Sequence, residues 1–325
     1  MQNSESIKAI PSNRLQFFPI MMFATVMGLM GLSMVFIKLN ESFDFPYEIG
    51  FYLGLFTSVL FLIIVLTYFL KIVLYAKEVK HELSHPIRVN FFAAFSISTL
   101  LLSMFFRHID MYIANILFFV GALVHIFFTF YTIKFWINNN LEIAHSNPAW
   151  FIPIVGNLIV PIAGVGFIDK SILYFYYSIG IFFWIILFSI ILNRIIFHKQ
   201  FAAKFMPTLF ILIAPPAIGF ISYIKLTSSL DFFAHILYSL GLFFTILVFV
   251  MYKNYMNIKF FISWWAFTFP MAAISLATIL MYELTNVVFY EYLSYIFTLI
   301  TTSIVVLVAA QTVVHMRKKE ICIME

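Results

Sequence analysis

The sequence predicts an all-α membrane protein: ten transmembrane helices, arranged as five helical hairpins around a central pore lined by the odd-numbered helices. Three observations support this fold class: the composition, ten uncharged apolar stretches, and the positions of the prolines. Of the 325 residues, 63% are hydrophobic and only 10% are charged. Soluble domains carry roughly 45–50% apolar and about 25% charged residues. The chain therefore lacks the polar surface of a soluble protein, and we expect the lipid bilayer to surround it.

Ten stretches contain no Asp, Glu, Lys or Arg, and each is long enough for a membrane-spanning helix, which needs roughly 18 residues or more. Because they follow one another closely, no room remains for a separate soluble domain. The stretches are approximately 15–37, 49–70, 89–106, 111–133, 146–168, 171–193, 205–224, 232–252, 260–282 and 292–314.

The lysines and arginines predict the orientation of the chain. Ten spans place both termini on one side, and fifteen of the 19 basic residues then lie on that side. The other side receives four: Lys38, Arg107, Lys170 and Lys225. The positive-inside rule predicts cytoplasmic termini, here in a bacterial inner (plasma) membrane. We expect a cytoplasmic segment at 1–14, a ten-helix membrane domain at 15–316 and a cytoplasmic tail at 317–325. Orientation also explains the net charge of +5, so no nucleic-acid partner is predicted.

Among the ten spans, only odd-numbered ones contain proline. Proline removes a helical hydrogen bond and kinks the helix, and backbone groups freed at membrane depth must face protein or water. The odd helices are therefore predicted to be inner and broken, and the even helices outer and straight. The prolines inside spans are Pro19, Pro148, Pro153, Pro161, Pro207, Pro215, Pro216 and Pro270.

Small residues accompany these prolines. Two interpretations stay open at this point: the small residues line a central pathway, or they allow close helix packing, for which membrane proteins also use them. The residues are Gly28 and Gly31 in span 1, Gly156, Gly164 and Gly166 in span 5, Ala214, Ala217 and Gly219 in span 7, and Ala272 and Ala273 in span 9.

One string has the form of a zinc-binding motif. His81-Glu82-Leu83-Ser84-His85 matches H-E-x-x-H, in which two histidines one helical turn apart bind zinc and the glutamate acts as a base. Pro86 follows directly and disfavours helix at His85. We therefore predict a solvated loop, no metal and no cofactor, with a zinc peptidase as the alternative.

Titratable groups are scarce inside the spans. No carboxylate lies within one, and His125 in span 4 is the one histidine well inside; we expect it to form an interhelical hydrogen bond. Proton-coupled transporters usually keep acidic residues or histidine in the membrane. A passive pathway is therefore favoured, in which an ion meets backbone dipoles, small side chains and aromatic constrictions. Basic residues at the cytoplasmic mouth would raise the local anion concentration.

Two segments resemble a known family. Asn147–Gly164 and Ser263–Pro270, supported by His85-Pro86-Ile87-Arg88 and Ala214-Pro215-Pro216, resemble the tellurite-resistance/dicarboxylate transporter family, which includes the plant slow-type anion channels. The resemblance extends from about residue 15 to 315. It implies five hairpins around a pore, a homotrimer with one pore per protomer, and a pore closed by a phenylalanine in span 9.

The resemblance also implies roles for individual residues. The gate position matches Phe269, and Ala24 stands where the family has a glycine against that gate. Arg88 is expected at the cytoplasmic mouth. The implied function is a passive channel, not an enzyme, for small anions such as chloride or nitrate. The alternative is a carrier or exporter of C4-dicarboxylate, sulfite or tellurite, including a proton-linked one. Residues expected to line the pore or kink its helices are Ala24, Gly28, Pro153, Gly156, Pro161, Pro215, Pro216 and Pro270.

Overall fold

The computed structural model describes residues 14–323 of the chain. The predicted N-terminal segment, Arg14 excepted, and the last two residues of the predicted tail lie outside the described residues, as do Lys8 and Pro11. Within residues 14–323, nine helices are long and apolar enough to cross a membrane, and one apolar helix is shorter. We name the ten α1 (Ile20–Phe43), α2 (Tyr47–Leu74), α3 (Arg88–Phe106), α4 (Met111–Asn138), α5 (Pro148–Gly164), α6 (Lys170–Phe197), α7 (Ala203–Thr227), α8 (Phe232–Val250), α9 (Ile262–Thr285) and α10 (Val288–Arg317).

The short helix α5 is the exception to ten equal spans. Its regular α-helical parts are Ile152–Val155 and Ile159–Gly164, separated by a 3₁₀ turn at Gly156–Leu158. Pro153 and Pro161 each lack the N–H that a continuous α-helix requires. The predicted kinking of this span is therefore strong enough to divide the helix into pieces.

Sequential helices pair into five antiparallel hairpins, α1 with α2 through α9 with α10. The odd-numbered helices also contact one another in a closed ring: α1 packs on α3, α3 on α5, α5 on α7, α7 on α9, and α9 on α1. This ring confirms the predicted arrangement of inner odd helices and outer even helices.

Burial separates the two rings. In the most apolar stretches of α1, α3, α7 and α9, between 72% and 89% of residues are buried, and in α5 every residue except Ile152 is buried. The corresponding fraction in the even helices is 28–39%. The exposed faces of the even helices carry large apolar side chains, such as Phe56, Leu123 and Phe243, which suit contact with lipid.

The inner helices share a second feature, because each begins with a stretch of 3₁₀ helix. A proline lies within this stretch, or close to it, in each of the five helices, and 3₁₀ turns are common where the regular α-helical ladder is interrupted. The stretches are Ile20–Met22, Arg88–Phe92, Pro148–Phe151, Ala203–Ile213 and Ile262–Phe267.

Glycines in the outer helices mark close approach to the inner ring. A Cβ atom added to Gly54 of α2 would lie 2.1 Å from the ring of Phe105 in α3, and one on Gly180 of α6 would lie 2.5 Å from Leu158 in α5. These glycines allow the outer helices to pack directly on the inner ones.

Candidate functional site

A cavity of about 60 Å³ lies at the centre of the inner ring. All of its lining residues belong to odd-numbered helices, so the five inner helices build the wall together. They are Met21, Ala24, Met27, Phe91, Ala94, Ile97, Phe151, Ile152, Val155, Gly156, Ile159, Thr208, Ile211, Ala214, Ile262, Ser263, Trp265, Ala266, Phe269 and Pro270.

The cavity wall is uncharged and nearly without hydrogen-bond donors. Its two hydroxyl groups both donate to backbone carbonyls, Thr208 to Phe205 at 2.6 Å and Ser263 to Lys204 at 2.5 Å. A hydroxyl has one proton to donate. Neither side chain therefore offers its O–H to a bound ion, and the wall presents mainly apolar surface.

Phe269 and Pro270 are the cavity-lining residues that lie farthest along α9 from the start of that helix. The side chain of Phe269 is buried. Opposite the ring is Gly31 of α1, where an added Cβ would lie 3.4 Å from the ring carbon Cδ2. The Phe269 ring thus reaches from α9 to α1, and Gly31 is a glycine against which it packs.

The other predicted pore residues divide into three groups. Ala24, Gly156 and Pro270 line the cavity. Gly28 instead lies at the contact of α1 with α9, where an added Cβ would be 2.1 Å from the hydroxyl oxygen of Thr268.

The remaining predicted residues are buried prolines at helix breaks: Pro153, Pro161, Pro215 and Pro216. Pro153 shows how such a break is stabilised. Its carbonyl accepts hydrogen bonds from the hydroxyl of Thr129 in α4 at 2.9 Å and from the amide of Asn157 at 3.2 Å. A side chain of the outer helix therefore satisfies backbone that the broken helix leaves free.

A larger vestibule of about 860 Å³ lies at the end where the inner helices begin. It shares Met21 and Ile262 with the central cavity, so the two spaces adjoin. Its lining carries five Lys or Arg side chains against three glutamates, so its fixed charge is positive before any histidine is protonated. The basic lining residues are Lys71, His81, Arg88, Lys204, Lys259, His315 and Lys318, which include the predicted mouth residue Arg88.

A buried ion pair forms part of the vestibule wall. Lys71 of α2 lies 3.0 Å from Glu82 of the short linker helix Ala76–Leu83, and the two side chains are 1% and 6% exposed. Lys71 also donates to the carbonyl of Phe18 at 2.8 Å, and the hydroxyl of Tyr68 donates to Glu82 at 2.7 Å. This network joins α2, the linker helix and the segment that leads into α1.

The H-E-x-x-H string does not adopt the geometry of a zinc site. The linker helix ends at Leu83, so His85 lies outside the helix that holds His81. The Nδ1 atom of His85 instead accepts from the backbone N–H groups of Ile87 at 3.1 Å and Arg88 at 3.3 Å. Within residues 14–323, no group of three or more potential ligands is close enough to hold a metal ion. The histidine therefore shapes the turn that leads into α3.

The environment of His85 favours its neutral form. Partial burial, and then the positive charge of Arg88 and other nearby basic groups, lower the pKa of His85 below its usual value of 6.5. A neutral imidazole can accept two backbone hydrogens at Nδ1, whereas the imidazolium cannot.

The end of the described chain also reaches the vestibule. The guanidinium of Arg14 donates to the carbonyl of Ile321, and Ile321 and Cys322 line the vestibule. Burial raises the pKa of the Cys322 thiol. The sequence did not predict these contacts or the pairing of Lys71 with Glu82, because no local sequence pattern predicts a contact between distant segments.

Comparisons with known proteins agree with the predicted resemblance. The SLAC1 family model, described as voltage-dependent anion channel, matches residues 17–313. One relative is the uncharacterized transporter MJ0762 of Methanocaldococcus jannaschii, 26% identical over 301 residues, which cover 84% of this chain and 87% of the relative.

Two further relatives have more informative names. The S-type anion channel SLAH2 of Arabidopsis thaliana is 28% identical over 259 residues, which cover 79% of this chain. The chain spans about half the length of that plant channel, 50%. A tellurite resistance protein TehA homolog of Haemophilus influenzae is 25% identical over 262 residues, which cover 78% of each chain.

Proposed function

This chain belongs to the SLAC1 family of voltage-dependent anion channels, and we propose that it conducts small anions such as chloride and nitrate passively through the central cavity, with Phe269 as the gate. It is a multi-pass membrane protein of an anion-transporting family, a channel and transporter type and not an enzymatic one. The identity of the conducted ions, their passive conduction and the gating role of Phe269 are what we propose.

The position of Phe269 is the observation that carries the proposal. The benzyl group extends from α9 to α1 at Gly31 and lines the central cavity, a position from which it could close the pathway. An aromatic side chain in a narrow pore blocks it sterically and surrounds it with apolar surface that disfavours water. Rotation of this one side chain would lengthen the continuous pathway.

The cavity wall supports weak binding and passive transit. An ion there meets neither a charged side chain nor a free hydroxyl donor. A pathway conducts only if its sites are weak enough to release the ion again. The uncharged wall therefore favours conduction of several small anions over tight selection of one.

Electrostatics supports anions over cations. The vestibule is lined by more basic than acidic side chains, which raises the local concentration of anions. The inner helices also run in the same direction, because they are alternate members of antiparallel hairpins. Their N-terminal ends, each carrying about half a positive charge, therefore all lie on the vestibule side.

We propose that the vestibule faces the cytoplasm of a bacterial cell and that the protein resides in the inner membrane. The distribution of the basic residues supports this orientation. We also propose a homotrimer with one pore per protomer, in line with the family resemblance. The even helices, with their exposed apolar faces, would then contact lipid and neighbouring protomers.

The first prediction tests the gate. In liposomes under a chloride gradient, Phe269→Ala should raise chloride flux at least about tenfold over wild type, because truncating the ring removes the steric and apolar barrier. Phe267→Ala is the matched control: Phe267 lies in the same string but packs against Phe210 at 4.7 Å between ring centroids and does not line the cavity. An unchanged flux in folded Phe269→Ala, or an equal rise in Phe267→Ala, would reject the gate.

The same assay tests a second candidate function, which the tellurite resistance name of one relative favours. A carrier of tellurite, sulfite or C4-dicarboxylate would show saturable uptake and exchange. A channel would show flux that rises linearly with the anion gradient. Saturating malate or sulfite uptake without chloride flux in Phe269→Ala would favour the carrier.

A further inference from the structure

His125 is a titratable side chain buried directly behind the cavity wall. It lies in the middle of α4, and its exposed fraction is 0%. The Nδ1 atom is 2.8 Å from the hydroxyl of Ser96 in α3, and this bond joins the outer helix to the inner one. The cavity lining itself contains no residue that titrates near neutral pH, so His125 is the neighbouring group that can change its charge.

The hydrogen bonds of Ser96 indicate which nitrogen of the His125 ring carries the proton. The single hydroxyl proton of Ser96 is donated to the carbonyl of Ala93 at 2.8 Å. We therefore assign the neutral ring the tautomer in which Nδ1 carries the proton and donates to Ser96. The lone pair then resides on Nε2, since a neutral imidazole has one donor and one acceptor nitrogen.

The Nε2 atom has no hydrogen-bond partner among residues 14–323, although it is fully buried. The ring edge is directed at Gly156 of α5: a Cβ added to Gly156 would lie 2.1 Å from Cε1 and 2.5 Å from Nε2. Gly156 lines the central cavity. Gly156 therefore lies between the unpartnered lone pair of Nε2 and the space that an anion would occupy.

The groups around the ring are neutral. Helix α3 contributes Ser96 and Ile97, which also flanks Gly156. Helix α5 contributes Gly156 and the carbonyl of Pro153. The hydroxyl of Thr129 in α4 lies 2.9 Å from the carbonyl oxygens of both His125 and Pro153, which share its single proton. Helix α6 contributes Tyr176, whose hydroxyl donates to the carbonyl of Ala122, one turn away, at 3.2 Å. Tyr176 is the one other titratable side chain in these contacts, and none of the groups is charged.

We propose that Nε2 of His125 is a proton-binding site coupled to the anion in the central cavity. A proton from water that reaches the cavity through the vestibule binds the Nε2 lone pair and converts the ring to imidazolium, with Nδ1 still donating to Ser96. The positive charge then attracts the anion across Gly156. Because such coupling is reciprocal, the anion favours the proton by the same factor. This inference rests on the proposed anion pathway and adds its regulation.

The test uses the Phe269→Ala background, in which the gate does not limit flux. Chloride flux into liposomes is compared at pH 7.5 and pH 5.5, with the same pH on both sides. We expect acidification to raise the flux roughly tenfold, because an imidazolium behind Gly156 attracts the anion in the cavity. His125→Gln, which cannot take the proton, should make the ratio of the two fluxes close to one.

His85→Asn in the same background is the matched control, because His85 is a second, partly buried histidine but lies in the turn that leads into α3, outside the lining of the central cavity. It should retain the pH response. A response that persists in His125→Gln, or that disappears in His85→Asn instead, would overturn the proposal.

A second measurement does not depend on conduction. Adding chloride to weakly buffered protein in detergent should cause proton uptake in wild type and none in His125→Gln. Equal uptake in the two proteins overturns the inference, whereas absent flux in Phe269→Ala would count against the proposed channel alone. If His125→Gln does not fold, Ser96→Ala is the second variant, because it retains the His125 ring and removes its hydrogen-bond partner. Ser96→Ala should then shift the pH midpoint of the chloride-induced proton uptake. An unchanged midpoint overturns the inference.

Discussion

The two ends of the inner helices differ in backbone geometry. At the vestibule end all five begin in 3₁₀ turns, with prolines in or near those turns. At the opposite end α1, α7 and α9 finish as regular α-helix, each closed by a residue in the left-handed region. These residues are Asp44, Ser228 and Asn286, with φ of 54°, 55° and 53°.

The ion pairs at the two ends of the inner helices differ in how deeply they are buried. At the vestibule, Lys71 and Glu82 are almost completely buried at 3.0 Å. At the opposite end, Lys38 and Glu283 are equally close, 2.8 Å, but their side chains are 28% and 29% exposed. The two ion pairs therefore have similar N–O distances and differ in their burial.

The difference indicates where the molecule departs from regular structure. Broken helices and a buried ion pair lie at the end that contains the vestibule. The opposite end has ordinary helix caps and an accessible ion pair. The predictions below, from the largest expected effect to the smallest, test whether the two ends differ energetically as they do in geometry.

The largest effect is expected for Glu82→Gln. This change leaves the Lys71 ammonium buried without its counterion, and breaking a buried pair in this way costs about 3–5 kcal/mol. Unfolding in detergent micelles measures the loss. Glu283→Gln at the other end should lose less than about 1 kcal/mol, because exposed ion pairs contribute little.

Equal losses of stability in Glu82→Gln and Glu283→Gln would contradict the proposed difference between the two ends. The double change Lys71→Met with Glu82→Leu sharpens this comparison, because replacing both members of a buried pair by apolar side chains is often neutral. The double variant should therefore recover most of the stability that Glu82→Gln loses.

An intermediate effect is expected at the left-handed cap of α7. Ser228→Val should lower the free energy of unfolding by about 1–2 kcal/mol, because a side chain branched at Cβ is strained at positive φ. Ser228→Gly should not destabilise, since glycine adopts this conformation readily. Ser229→Val, at the adjacent exposed position with negative φ, is the control, and a loss there equal to that of Ser228→Val would contradict the explanation.

The smallest effect is expected for the pH response of His85. Its pKa is lowered in the folded protein by burial and nearby positive charge. Below its usual pKa of 6.5 the unfolded chain therefore takes up a proton that the folded protein resists. Stability contributed by His85 is thus complete above pH 6.5 and decreases as the pH falls below it. His85→Asn, whose amide oxygen can still accept the backbone hydrogens, should remove this part of the acid sensitivity measured by thermal unfolding between pH 7.5 and 5.5; an unchanged pH slope would contradict it.

The sequence by itself determined the membrane class, the spans and the distinction between inner and outer helices. Hydrophobicity and the missing N–H of proline act at the residue that carries them, so they can be recognised without knowing any contact. The family resemblance of the string around Phe269 implied a gate at that residue, which stays a prediction. The depth of the break in α5 exceeded the expectation, because three prolines and a glycine act together there.

Only the tertiary structure decided which side chains meet. The contact of Phe269 with Gly31, the pairing of Lys71 with Glu82 and the direction of His125 toward Gly156 all join different helices. Such contacts depend on the rotation and relative height of packed helices. In a chain whose spans are apolar on nearly every side, local periodicity does not fix that register; complementary packing, with glycine opposite a ring and a donor opposite an acceptor, does.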